Sequence, residues 1–287
     1  KIRKMKIETP KGRPLLHWVN KHPLEFVTGF PTQLTEVFLP DEASAKAGDP
    51  QKKDKFPETP KYSELEKNWH NLLFHGDNKE VLATLLELGF RGKVDLIYID
   101  PPFASNKDYV RKVELRGLND LGRIEEDSES IIQQTMYEDI WKRDEYFQFM
   151  YERLILMKEL LAETGNIFVH LDFNVVHYIK VLLDEVFGQD NFINEIIWCY
   201  TGPSKEGIKS FSYKHQTILR YSKSNSPKFD LSNVRVPYKA LHKGGTYFGE
   251  GIGDKENEKY IKKGKDPGDW WEISPPGRIP TEYVGFN

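Results

Sequence analysis

The residues that could do chemistry stand at Asp100-Pro101-Pro102-Phe103, directly after the apolar run from Val94 to Ile99. Two prolines fix the backbone turn and remove two N–H donors, so the neighbouring carbonyls become acceptors aimed in set directions. Asp100 adds a carboxylate and Phe103 an aromatic face. This combination suits a reaction at an exocyclic amino nitrogen such as that of adenine, whose lone pair is delocalised into the ring. Acceptors that bind both of its hydrogens favour the pyramidal, nucleophilic form, which is preorganisation toward charge developing at nitrogen. A base taken out of its duplex can stack on an aromatic ring. In-line transfer from a sulfonium methyl then needs positioning more than acid–base catalysis. The plainer reading of the same string is a Pro-Pro turn with Asp100 as its cap. Its place at a strand end, downstream of His75-Gly76-Asp77-Asn78, favours the chemical reading.

These residues need elements to hold them. In an open α/β sheet, ligands sit beyond the carboxyl ends of the strands. Val94 to Ile99 reads as a buried parallel strand. Before it, Val81, Leu82, Leu85 and Leu86 recur at helical spacing behind an N-cap at Asp77 or Asn78, and Gly89 and Gly92 end that helix. Phe147, Met150, Leu154, Met157 and Leu161 mark a second helix from Tyr146, stopped by Gly165. Ile167 to Leu171 reads as a strand and Val175 to Val186 as a helix ended by Gly188; Ile193 to Tyr200 and Gln216 to Tyr221 read as further strands. This alternation implies a parallel or mixed sheet with helices on its faces. Residues 104–138 are polar and weakly periodic, a long connection of the kind that forms lids. Residues 1–68 carry eight prolines at short intervals and read as an irregular arm, with 41–55 as its loop.

Bulk properties narrow the function. A chain of 287 residues accommodates one large α/β domain, or one with a sizeable insertion. A net charge of −3 gives no global support to nucleic-acid binding, so any basic surface must be local. Residues 205–265 supply one: twelve lysines and two arginines against six acids, a balance of +8, with tyrosine and phenylalanine interspersed. Lys205, Lys209, Lys214, Arg220, Lys243, Lys262 and Lys263 are the candidate DNA-phosphate contacts, against the alternative of a solvated lysine-rich surface. One cysteine, Cys199, excludes an intramolecular disulfide, fits a cytosolic compartment and reads as a buried, inert thiol. There is no apolar run of membrane length, and no apolar signal segment follows the basic N-terminus. His70, His75 and Asp77 match no zinc spacing, so no metal is expected. His170 and Asp172 reach the same sheet edge as Asp100 if the sheet is parallel there, with His170 either lining the pocket or packed in its strand. Trp270-Trp271 reads as a core or interface anchor.

Two long runs carry a resemblance. NLLFHGDNKEVLATLLELGFRGKVDLIYIDPPFASNKDY and YERLILMKELLAETGNIFVHLDFNVVHYIKVLLDEVFGQDNFINEIIW closely resemble the catalytic domain of the bacterial N6-adenine/N4-cytosine DNA methyltransferases. The likeness is to their β-type motif order and to the modification subunits of type III restriction systems. It persists in KHQTILRYSKS and DWWEISP and covers roughly residues 69–287. It implies a Rossmann-like, S-adenosylmethionine-dependent methyltransferase sheet, here partial. It also implies methyl transfer from S-adenosylmethionine to N6 of adenine in double-stranded DNA, with Asp100, Pro101, Pro102 and Phe103 catalytic. An acidic first residue accompanies adenine in that family and serine accompanies cytosine, so Asp100 points to adenine. N4-cytosine methylation and a non-catalytic DNA-binding or assembly subunit stand as alternatives. The family's Gly-Asp turn falls on Gly76-Asp77, which with Asp100 would meet the cofactor, although Asp77 also reads as a plain N-cap. Further implications are a restriction subunit or a homodimer as partners, no membrane, and a bacterial or archaeal cytoplasm.

The resulting division is an arm over 1–68, a catalytic core over 69–204, and a target-recognition region returning to the core over 205–287. The family's glycine loop, F-x-G-x-G after an apolar strand, is expected beyond Asn287. On that expectation the chain is a piece of a longer protein and binds S-adenosylmethionine weakly or not at all by itself. Phe248-Gly249-Glu250-Gly251-Ile252-Gly253 matches the string. No apolar strand precedes it and no capped helix follows, so it reads as a loop of the recognition region.

Overall fold

The structure is a computed structural model describing residues 4–8, 10, 14–32, 59–67, 69, 71–103, 108–114, 131–138, 143–200, 209–232, 234–236, 264 and 266–273. Of 108–114, 131–138 and 143 only the backbone is described. Along the chain come β1 (Lys4–Lys6), β2 (Phe26–Thr28), α1 (Tyr62–Leu65), α2 (Asn78–Glu87), β3 (Val94–Ile99), β4 (Asp108–Glu114) and β5 (Ile131–Glu138). Then follow α3 (Arg143–Leu160), β6 (Leu161–Leu171), α4 (Val176–Phe187), β7 (Phe192–Cys199), β8 (His215–Ser222) and β9 (Trp270–Glu272).

Five strands form one mixed sheet in the order β3-β6-β8-β7-β9. β3 and β6 are parallel, β8 is antiparallel to both β6 and β7, and β9 is parallel to β7. Strand alternation sorts the side chains. Ile167, Val169, Leu171, Leu219 and Tyr221 join the main core with Leu154, Leu160, Ile179, Leu182 and Leu183 of the helices. The intervening positions, including Phe168, His170 and Arg220, therefore face the other way, where the chemistry will be found. Asp77 caps α2, accepting from Lys79 N at 2.8 Å, and Gly89 and Gly92 take positive φ at the turn into β3. A helix leading back into a strand runs antiparallel to it, so the start of α2 lies at the carboxyl-end side of β3.

A buried polar pair braces this core. The Tyr221 hydroxyl donates to Asp184 Oδ1 at 2.6 Å, and the same carboxylate takes both 2.8 Å contacts from Lys180. Burial, then the bond to Asp184 and its charge, raises the phenol well above its ordinary range. Tyr221→Phe is expected to lower stability by about 1–3 kcal/mol, because a buried charged acceptor loses a donor. Urea denaturation reads this directly, and an unchanged midpoint would refute the bracing role.

Several expectations are corrected. The connection over 104–138 holds an antiparallel ladder, β4 with β5. An antiparallel ladder is built by backbone pairing, and the sequences DYVRKVE and IIQQTMYE carry no strong apolar alternation to announce it. β6 begins at Leu161 rather than Ile167, and Gly165 lies within it instead of stopping a helix. A Cβ on Gly165 would sit 2.9 Å from the carbonyl oxygens of Ala162 and Val94, so glycine there permits close strand approach. β3 is covered on one face only among the described residues, with Leu96 and Tyr98 exposed. Cys199 is half-buried rather than buried, and Trp270, which pairs with Ile197, is largely exposed rather than core.

The arm is also more than irregular chain. β1 pairs with β2, and Ile7, Trp18, Leu24 and Val27 are buried in the main core. Proline spacing limits the length of elements but does not prevent docking. The expected loop over 41–55 lies outside the described residues, as does the glycine string at 248–253. Among the described residues no helix is long and apolar enough to cross a membrane.

Candidate active site

Strand register assembles the site. Ile99 pairs with Val169, which brings Asp100 level with His170. His170 pairs with Ile218 on β8, and Gln216 on the same face pairs with Trp198 on β7. One row thus runs from the Asp-Pro-Pro-Phe loop across three strands. His170 is buried, with Nε2 2.7 Å from Gln216 Oε1 and Nδ1 3.2 Å from Asp100 Oδ1. The Nδ1 approach is close enough for an ion pair but poorly aligned, so Nδ1 has no well-directed hydrogen bond. A small rotation of the half-exposed Asp100 carboxylate would bring the pair into line.

Aromatic rings wall this row. Phe103 meets the His170 ring edge-on at 5.7 Å, Trp198 lies at 5.5 Å and Tyr98 at 6.5 Å. Burial, then the Asp100 charge, raises the Tyr98 phenol, which keeps it protonated beside the carboxylate. Among the described residues no group donates to the carbonyls of Pro101 and Pro102. The arrangement presents a carboxylate and backbone carbonyls next to an aromatic surface. Phe173, at the exit of β6, stacks flat on Tyr213 at 4.0 Å, with both rings partly exposed. Asp172 accepts from Asn174 N at 2.9 Å and so holds the turn leaving β6.

The Gly76-Asp77 turn has its own support. Gly76 has φ +154° and nothing within 4 Å of where a Cβ would stand. Arg153 of α3, buried, reaches both Asp77 oxygens, Oδ1 at 3.0 Å and Oδ2 at 2.9 Å, and bonds Asn78 Oδ1 through Nε. Its guanidinium lies 3.5 Å from the centroid of the Phe149 ring. Asp77 is therefore cap and ion-pair partner at once, with Oδ2 retaining capacity for another donor. Next to it, Glu152 takes Lys79 Nζ at 2.6 Å and faces His22 Nε2 of the arm at 3.2 Å. Burial opposes ionisation of Glu152, but hydrogen bonds from Lys79 and Gln148 and the charges of Lys79 and His22 outweigh it, so its pKa is lowered. Sequence reasoning missed Arg153 and Glu152. Their only signal was two charged residues next to the apolar stripe of α3.

The basic candidates divide. Arg220 is buried on β8, donates to Asn166 Oδ1 at 2.9 Å and packs on Phe168 and Phe229. Burial lowers its pKa. It is a packed strand residue and cannot reach DNA phosphate, which corrects its assignment. Strand alternation, not the local charge run, decides its direction. Lys209 is exposed and Lys214 half-buried. Lys205, Lys243, Lys262 and Lys263 lie outside the described residues, as does His70. Among the described residues no group of three His, Cys, Asp or Glu side chains could hold a metal.

A parallel strand delivering an Asp-Pro-Pro-Phe loop to the open end of an α/β sheet defines the class, and comparison with known proteins gives the family. The DNA methylase family matches residues 94–282, and this chain belongs to it. It is 32% identical over 244 residues to the Mod subunit of the type III restriction-modification enzyme EcoPI of Escherichia phage P1, covering 82% of this chain and 35% of that protein. It is 27% identical over the same length to the Mod subunit of the EcoP15I enzyme of Escherichia coli, with the same coverage. The chain thus spans about a third of the length of these relatives. Among solved structures, the cytosine-N4-specific PvuII DNA methyltransferase is similar with a TM-score of 0.39 and 15% identity, covering 71% of this chain and 57% of that one.

Proposed function

We propose that this chain carries the base-handling half of a DNA methyltransferase that acts on N6 of adenine. The observation that carries the reading is Asp100 at the carboxyl end of β3, 3.2 Å from His170 Nδ1 and beside the rings of Phe103 and His170. The carboxylate and the Pro101 carbonyl accept the two amino hydrogens, and the Phe103 ring stacks on the base. Pro102 fixes the turn between them. S-adenosylmethionine, when bound, would supply a sulfonium methyl whose leaving group is a neutral thioether, and the proton lost from the amino nitrogen would pass by way of Asp100 to solvent. The open space beside Gly76 and the spare capacity of Asp77 Oδ2 fit a polar cofactor, and Asp100 would lie between cofactor and base. The measurement is transfer of labelled methyl from S-adenosylmethionine to genomic DNA by the full-length protein, followed by mass analysis of the bases. N6-methyladenine supports the reading, N4-methylcytosine favours the cytosine alternative, and no methylated base refutes both.

Two relatives are named as Mod subunits of type III restriction-modification enzymes; in the same reading this chain works beside a restriction subunit, on double-stranded DNA, in a prokaryotic cytoplasm. The domain division at 68 and 204 and a homodimer belong to the same reading. Reversing charge at Lys205, Lys209, Lys214, Lys243, Lys262 and Lys263 together is expected to weaken DNA binding at low salt. It should also flatten the salt dependence by about 0.9 log units per lost phosphate contact. Fluorescence anisotropy across a salt series checks this, and an unchanged slope removes these lysines from the interface.

A further inference from the structure

His170 is buried at the centre of the site row, with an acceptor opposite each of its ring nitrogens: Gln216 Oε1 at Nε2 and Asp100 Oδ1 at Nδ1. A bare Nδ1 would set a buried lone pair against a carboxylate. Two arrangements avoid that. The ring is an imidazolium donating at both nitrogens, or it is neutral with the Gln216 carboxamide turned over so that its NH2 donates to Nε2. Both put a proton on Nδ1.

We propose that His170 is a positioning residue. Its Nδ1–H holds Asp100 Oδ1 and leaves Oδ2 to accept from the amino group of the substrate base, while Gln216 fixes the ring from the other side. The inference rests on the reading of Asp100 as the amino-group acceptor. The physical need is plain. Asp100 is more than half exposed on a turn after an edge strand, so water competes for both oxygens and the carboxylate rotates. His170 cannot rotate with it. Its ring lies among Phe103, Trp198 and Tyr98, its backbone pairs with Ile218 of β8, and the residue before it pairs with Ile99 of β3. A fixed donor turns a mobile carboxylate into an aimed one, and misplacement of a reacting group by 1 Å can cost about 100-fold in rate.

Two isosteric variants separate positioning from packing. Asparagine at 170 carries its amide nitrogen near the place of Nδ1, and glutamine near that of Nε2. In single-turnover methyl transfer to genomic DNA by the full-length protein, His170→Asn is expected to stay within about threefold of wild type. His170→Gln is expected to fall about 10- to 100-fold, with DNA affinity unchanged in both. Equal rates in the two variants, whether high or low, overturn the proposal. The second arm needs no activity: 15N NMR of the histidine-labelled chain. His170 Nδ1 should report a protonated nitrogen that shifts in Asp100→Ala. A bare Nδ1 overturns the pairing. A wild-type protein with protonated Nδ1 that methylates no DNA would sink the methyltransferase reading and leave the Asp100–His170 pairing standing.

Discussion

Asp100→Ala is expected to lower methyl transfer by about a thousandfold, with the protein still folded and still binding DNA. Removing one preorganised polar group aimed at developing charge costs about 10²–10³ in rate. Asp100 has a second task, because a carboxylate also orients the base against the Phe103 ring. The fold does not depend on it. Its side chain is more than half exposed, and among the described residues its one close polar contact is His170 Nδ1, which water at the open end of the sheet can replace. The destabilisation should therefore be about 1 kcal/mol or less. Asp100→Asn keeps one carbonyl acceptor and turns a donor toward either His170 or the base. It should fall between alanine and wild type. Single-turnover rates with saturating DNA isolate the chemical step. Equal rates in wild type and alanine variant would remove Asp100 from the mechanism, and a loss confined to DNA affinity would make it a binding residue only.

The loop itself was legible because its signals are local. A β-branched apolar run, two prolines and a flanking aromatic are properties of ten consecutive residues, and so are the Asp77 cap and the apolar stripes of the three longer helices. What stayed hidden depends on which distant residues meet. His170 could be named as a candidate but not assigned, since its role comes from the register that sets β3 beside β6 and β8. Arg153 and Glu152 became visible only when α2 packed on α3 and brought Asp77 and Lys79 to them. Arg220 shows the reverse error. It sits in a lysine-rich stretch whose composition suggests a solvated or DNA-facing surface, yet on β8 it is buried by packing on Phe168 and Phe229 and by its bonds to Asn166. The arm misled for a related reason. Its prolines describe what local structure it avoids, while its docking is carried by single side chains such as Trp18 and Lys21.

Lys21→Met is expected to destabilise the protein by about 3–5 kcal/mol, the usual effect of removing one partner from a buried ion pair. Lys21 Nζ lies 2.5 Å from Glu185 Oε1 and 2.6 Å from the Leu16 carbonyl, over the rings of Trp18 and Tyr151. Glu185 is almost wholly buried on α4, and its other oxygen accepts from Leu16 N at 3.0 Å. The tie therefore joins residues far apart in the chain, arm to core helix. Methionine preserves the length and apolar stem of lysine but leaves the Glu185 charge with one backbone donor. Burial, then the Glu185 charge, pushes the Tyr151 phenol up to about 12, so that neighbour stays neutral and supplies no positive charge in place of the lysine. The double variant Lys21→Met with Glu185→Leu removes both charges and should recover most of the loss, because the desolvation cost of the carboxylate goes with it. Urea denaturation at neutral pH measures both. If the pair merely packs, the double variant will be the worse of the two. If it acts as a buried charge clamp, the single variant will be, and the arm will be cut by protease well before the core unfolds.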